Sequence, residues 1–305
     1  MTEVEGDVLM FPGQGSQHLG MGRDVFDAYP ALCARADDVV GYSIRDLCLK
    51  DPEGKLGETA RTQQALYFVS CLMYLARVER QGARHVRCVV GHSLGLYPAL
   101  FAAGVFDLFE GLRIVSRRGA LMQEVRGGAM VAVIGPQAGT IHEQLVRLDC
   151  FDVDVANYNS PEQVVLSGTA SRLAELAPRL EGAGHRCVPL PVGGAFHSRH
   201  MEPCRRAFAG FLRDREFAAP GMPVVSSTSG RVLDPGHLLE EMVFQLVKPV
   251  RWWQTLTHLA RTGHRSFSEV GPGTVLTKLS TSVLGGGAPP PPSPSPASLS
   301  AEPEV

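Results

Sequence analysis

The chain is expected to adopt an α/β fold: a body with a parallel sheet, into which a smaller ferredoxin-like unit is inserted. Three observations lead there. Short apolar runs alternate with longer amphipathic ones along most of the sequence, the pattern of strands crossing over through helices. One of those runs, HVRCVV, passes through GHSLG at 91–95 straight into LYPALFAAG, a strand–turn–helix sequence. Between 128 and 192 the order becomes strand, helix, strand, strand, helix, strand, which is that of a ferredoxin-like unit.

Taken in order, the apolar run at 8–11 is too short for a helix and reads as a buried strand, and 64–81 has helical length and periodicity. Strand 86–90 and helix 96–103 flank GHSLG, and 109–123 is a second helix of the same body. The inserted unit consists of strands at 129–134, 153–156, 163–167 and 186–189, with helices near 139–148 and at 170–183. A helix at 201–215 and strands at 224–226 and 266–269 return the chain to the body. The expected division is therefore 7–127 with 193–284 for the large subdomain, 128–192 for the small one, and 285–305 as a Pro/Ser-rich tail or linker unable to bury a core.

Composition narrows the function classes. A net charge of −2 with only isolated basic pairs leaves no stripe for nucleic acid and no attraction to an anionic membrane. The seven cysteines are scattered without a C-x-x-C pair, which reads as reduced thiols, and no run is apolar for long enough to span a bilayer. The start of the chain lacks a signal peptide's basic-then-apolar layout, so the expected location is the cytoplasm.

VLMFPGQGSQHLGMG, at 8–22, invites a nucleotide-binding reading, but the pattern fails. Gly13 and Gly15 fit G-x-G-x-x-G, His18 stands in the third place, and no Gly-Lys-Ser/Thr follows. G-x-S-x-G at a strand-to-helix turn is instead a nucleophile elbow, and it makes Ser93 the candidate nucleophile. A serine hydroxyl needs a base. Of ten histidines, His197 in VGGAFHSRHM is best placed, where the chain re-enters the main body. His200 completes an H-x-x-H, but without further close ligands no metal site is expected. Left open beside this pair are an esterase of Ser-Asp-His order using Asp152 with His258 or His264, and a non-catalytic scaffold.

FPGQGSQ, GHSLG, R-G-x-x-M, GAFHS, QL-x-x-PV-x-W and EVGPG occur in this order. With them the chain resembles the malonyl-CoA:acyl-carrier-protein transacylases, and most of all the discrete acyltransferases serving polyketide synthases. The resemblance runs from about 7 to 282. It implies an α/β-hydrolase-like large subdomain and a ping-pong transfer of malonyl from CoA, through an acyl-serine, to the phosphopantetheine thiol of an acyl carrier protein. Polyketide or fatty acid biosynthesis is the implied setting, with a polyketide synthase assembly as a further partner and no tightly bound cofactor. Ser93 then matches the acyl-accepting serine, His197 its general base, and the backbone N–H groups of Gln14 and Leu94 an oxyanion hole. Arg118 matches the arginine that grips the malonyl carboxylate. Gln245 matches a glutamine whose main-chain carbonyl orients the histidine. Phe196 and Leu94 match the malonyl-selective pattern, and His92, Gln63 and Asn157 fall on positions near the pocket. An acyl hydrolase sharing the Ser-His pair is the alternative. One departure stands out: Leu96 replaces the acidic residue usual after the second glycine. It is expected to make the pocket mouth more apolar and acyl loading slower or broader.

Overall fold

Val8, Leu9, Met10 and Phe11 are at most 1% exposed, as a central parallel strand with both faces covered requires. The computed structural model describes residues 4–136 and 138–285; of the expected tail, 286–305 lie outside the described residues. Among the described residues eight strands form: β1 Val4–Phe11, β2 Val86–Gly91, β3 Gly128–Ile134, β4 Asp154–Ser160, β5 Gln163–Thr169, β6 Arg186–Pro189, β7 Val224–Val225 and β8 His264–Glu269. They make two separate sheets, ordered β7-β2-β1-β8 and β4-β5-β3-β6. Every pairing in the first is parallel and every pairing in the second antiparallel. The fold is thus a parallel α/β body plus a ferredoxin-like antiparallel unit, as expected.

The helix Thr59–Gln81 packs against Leu108–Glu124 in the main core, burying Ala65, Leu66, Phe68 and Leu72. It starts five residues before the expected 64, because TARTQ carries no apolar signal. Thr59, Thr62 and Gln63 are nevertheless buried, their polar groups finding partners inside the protein. The helix expected at 201–215 is shorter, Glu202–Leu212, preceded by a single 3-10 turn Arg199–Met201.

β4 extends well past the expected 153–156, through ANYNS to Ser160. Asparagine disfavours strands, so sequence propensity stops early. The strand persists because its far edge is also paired: Tyr158 N–H donates to the Val250 carbonyl and Val250 N–H to the Ala156 carbonyl, each at 2.8 Å. That bridge ties the small sheet to the main body beside the C-terminal ends of β1 and β2, where GHSLG emerges. The register of β4 also shifts between Val155 and Asn157 and again between Tyr158 and Ser160, bulges that re-aim its side chains.

Candidate active site

The tightness of the GHSLG turn dictates its glycines. A Cβ on Gly91 would stand 2.0 Å from the Gly95 carbonyl carbon, and one on Gly95 would stand 2.0 Å from the Phe11 carbonyl oxygen. No side chain fits at either place. Gly95→Ala is therefore expected to lower the unfolding free energy by about 3 kcal/mol or more. A urea melt displaced by much less would show that the turn can relax.

Pinned this way, Ser93 has φ of 52°, left-handed backbone that costs a non-glycine residue about 1–2 kcal/mol. His197 is held likewise, at φ 57°. The two strained residues meet: Ser93 Oγ lies 2.7 Å from His197 Nε2, 104 positions away in sequence. His197 Nδ1 is 2.8 Å from the Gln245 carbonyl and 3.2 Å from that of Lys248. A carbonyl only accepts, so Nδ1 carries the proton, and Nε2 is left as an acceptor for the Ser93 hydroxyl. Among the described residues no aspartate takes part in this chain of contacts. Burial, reinforced by the nearby Arg118 charge, pushes the His197 imidazole down to about 3, against the pull of the two carbonyls.

Arg118, on the helix Leu108–Glu124, is 1% exposed. Nη1 donates to Gln63 Oε1 at 2.7 Å, and Nη2 to Gln245 Oε1 at 3.2 Å and to Ser93 Oγ at 3.4 Å. Its Nε has no partner among the described residues. Gln245 joins the whole group: its amide Nε2 donates to the Ser93 carbonyl at 3.0 Å, while its own carbonyl holds His197. Gln63 is oriented from both ends, since its Nε2 lies 3.2 Å from Met122 Sδ.

Around these groups is a cavity of about 80 Å³, lined among others by Gln14, His92, Leu94, Met130, Asn157 and Phe196. The ten residues matched to the family's site thus lie at or directly behind it: eight line it, and Gln63 and Gln245 hold Arg118 from behind. Gln14, His92 and Asn157 also line an adjoining cleft of about 190 Å³, which the helix Val275–Leu284 borders. Sequence reasoning missed Asn159. His92 Nε2 is 2.9 Å from Asn159 Oδ1, and its ring meets Trp252 edge-on at 5.4 Å. The expected strand ends at 156, which hides that Asn157 and Asn159 both belong to β4 and line the same adjoining cleft.

Three expectations need correction or exclusion. Leu96 does not edge the pocket mouth: it is 1% exposed within the main core, so its influence is on packing. Asp152 pairs with Arg172 at 3.1 Å in the small unit. His258 and His264 line a different cavity, beside the N-terminal half of β2, so the Ser-Asp-His arrangement does not form.

A family model described as "Acyl transferase domain" matches residues 8–285. The polyketide biosynthesis protein ThaF of Burkholderia thailandensis is 41% identical over 282 residues; the match covers 92% of this chain but only 24% of ThaF. The Bacillus subtilis protein PksC, a polyketide biosynthesis malonyl CoA-acyl carrier protein transacylase, is 40% identical over 88% of this chain and 94% of its own. A crystal structure of a malonyl CoA-acyl carrier protein transacylase from Burkholderia pseudomallei superimposes with a TM-score of 0.89 at 40% identity, covering 93% of this chain and 100% of that one. The chain belongs to the acyl transferase domain family, among the malonyl CoA-acyl carrier protein transacylases.

Proposed function

We propose that this protein moves a malonyl group from malonyl-CoA onto Ser93 and then onto the phosphopantetheine thiol of an acyl carrier protein, in polyketide or fatty acid biosynthesis in the cytoplasm. The observation that carries this reading is the buried arginine beside a serine–histidine pair: Arg118 Nη2 lies 3.4 Å from the Ser93 oxygen. A hydrolase of uncharged acyl groups has no use for such a cation. A malonyl thioester on Ser93 would reach it with its free carboxylate, which a guanidinium fork matches.

In the first half-reaction Ser93 Oγ attacks the thioester carbonyl while His197 Nε2 takes its proton. The backbone N–H groups of Gln14 and Leu94 receive the negative charge that develops on the carbonyl oxygen, each worth about 3–4 kcal/mol. The C–S bond breaks and His197 returns the proton to the CoA sulfur. The carrier's thiol then gives its proton to the same nitrogen and attacks the acyl carbonyl; the C–O bond to Ser93 breaks and His197 returns the proton to Ser93 Oγ. Gln245 keeps His197 in the required tautomer through its carbonyl. CoA and phosphopantetheine enter as substrate and as the partner's prosthetic group, and the assignment needs no resident cofactor. We also take 128–192 as a small subdomain that closes the site from one side, against 7–127 and 193–284.

The test is to incubate the protein with malonyl-, methylmalonyl- or acetyl-CoA and weigh it intact, then add a carrier protein. A malonyl adduct that maps to Ser93 and passes to the carrier thiol is expected; an adduct lost to water at the same rate with or without carrier would favour the hydrolase.

Phe196 bears on acyl size. With Met122 and Val192, its ring lines both the 80 Å³ cavity and a neighbouring cleft of about 280 Å³. Gly194 makes room for that ring, since a Cβ there would lie 2.5 Å from it. Phe196→Ser joins the two spaces, and the methylmalonyl-to-malonyl loading ratio should rise about 10-fold or more. An unchanged ratio in competition assays would reduce Phe196 to core packing.

A further inference from the structure

Among the described residues the partners of Arg118 are all neutral: Gln63, Gln245, the Ser93 hydroxyl and Tyr97, whose ring lies 5.4 Å away. A guanidinium 1% exposed, with no partner at Nε and no facing anion among the described residues, is expensive to bury. It also spends an N–H on the oxygen that must attack. Counting charge through acylation shows what this does. When Ser93 Oγ bonds to the carbonyl carbon, its proton moves to His197 Nε2 and the carbonyl electron pair moves to oxygen. The cavity then holds two cations, guanidinium and imidazolium, and one anion. A malonyl group brings a second anion and the sum is zero. An uncharged acyl group leaves the sum at +1, as it was before attack; what the missing carboxylate changes is that the new imidazolium forms beside an unneutralised guanidinium in a space of about 80 Å³.

We propose that the acyl carboxylate acts as a cocatalyst: by occupying Arg118 it draws Nη2 off Ser93 Oγ and neutralises the cation that opposes proton transfer to His197. The proposal rests on the acyl-transfer reading above and deepens it. The carboxylate thus does more than bind. An uncharged acyl group fails in the chemical step too, and a small carboxylate supplied separately repairs that step. The Arg118 charge is among the causes that hold the His197 imidazole down, which is the direction this coupling requires.

Formate is the probe, because an acetyl thioester plus formate carries the functional groups of a malonyl thioester in two pieces. Acylation of the full chain is followed by rapid quench and intact-protein mass, with saturating acetyl-CoA or with malonyl-CoA, in sodium formate or in sodium chloride of equal ionic strength. Formate should speed acetylation about 10- to 100-fold, below the ~10³-fold that a full unit charge about 4 Å away is worth at an effective dielectric of about 20, because the oxyanion loses part of what the imidazolium gains. It should slow malonylation, by competing for Arg118. Opposite signs from one anion exclude a general salt effect. Arg118→Gln should acetylate faster than the natural protein without formate and ignore formate when it is added. Acetylation no faster in formate than in chloride overturns the proposal, as does Arg118→Gln protein that folds but acetylates no faster. If that variant fails to fold, the two arms on the natural protein decide alone. Absence of any malonyl adduct on Ser93 overturns the acyl-transfer reading itself, whereas a malonyl adduct with formate-insensitive acetylation overturns the cocatalyst alone.

Discussion

Ser93→Ala is expected to abolish the covalent malonyl adduct and to lower transfer to the carrier thiol by about 10⁴- to 10⁶-fold, the range seen when the nucleophile of a Ser-His site is removed. The remaining rate would come from donors that still polarise the carbonyl. The variant should fold well. Alanine removes one oxygen from a half-buried position, and the φ of 52° is imposed by Gly91 and Gly95, which stay. The same strain explains why the hydroxyl faces the cavity at all. A relaxed backbone at 93 would swing Oγ away from His197 Nε2, now 2.7 Å distant. Intact mass after exposure to malonyl-CoA reads the adduct, and a melt checks the fold. An adduct retained at full stoichiometry would move the acyl group to another residue and undo the assignment.

How far the sequence disclosed this site depends on what each residue has to do locally. Gly91 and Gly95 are legible because an added Cβ would stand 2.0 Å from neighbouring backbone at either place, a constraint that leaves a written pattern around Ser93. His197 left a weaker trace, a polar residue just after a glycine pair at the re-entry to the main body. Arg118 left none of its own. On a helix beside Arg117 it looks like a solvated surface charge, and only the resemblance to a family singled it out. Its burial comes from Gln63 and Gln245, 55 and 127 positions away, a convergence that no local pattern encodes. Asn159 was missed for a related reason. Asparagine reads as turn, and it becomes strand here through the bridge to Val250. Strands and long helices were visible where burial is apolar and periodic. They were lost at Thr59–Gln63 and at β4, where the protein buries polar groups to build a site.

His197 is expected to show its role most clearly through pH. Because its imidazole lies at about 3 against an ordinary 6.5, it stays neutral, and so able to accept a proton, well below neutral pH. The apparent second-order rate of Ser93 malonylation should therefore run flat from pH 7 to about 4.5, without the inflection near 6.5 that an unperturbed histidine base would impose. Stability follows the same shift with a definite sign. In the unfolded chain this histidine binds a proton near pH 6.5, while in the folded protein it does not until about 3. Between those values the unfolded state holds the extra proton, so this residue's contribution is complete above pH 6.5 and is lost as the pH falls toward 3. His197→Gln removes both effects. Malonylation should fall about 10⁴-fold or more, since among the described residues His197 is the acceptor within reach of the Ser93 proton. The unfolding midpoint of the variant should also decline less steeply on acidification than that of the natural protein. The two readouts separate a base from a packing residue. A merely structural histidine would alter stability and leave the rate of the folded fraction within a few-fold, whereas a base buried beside a cation has to change both.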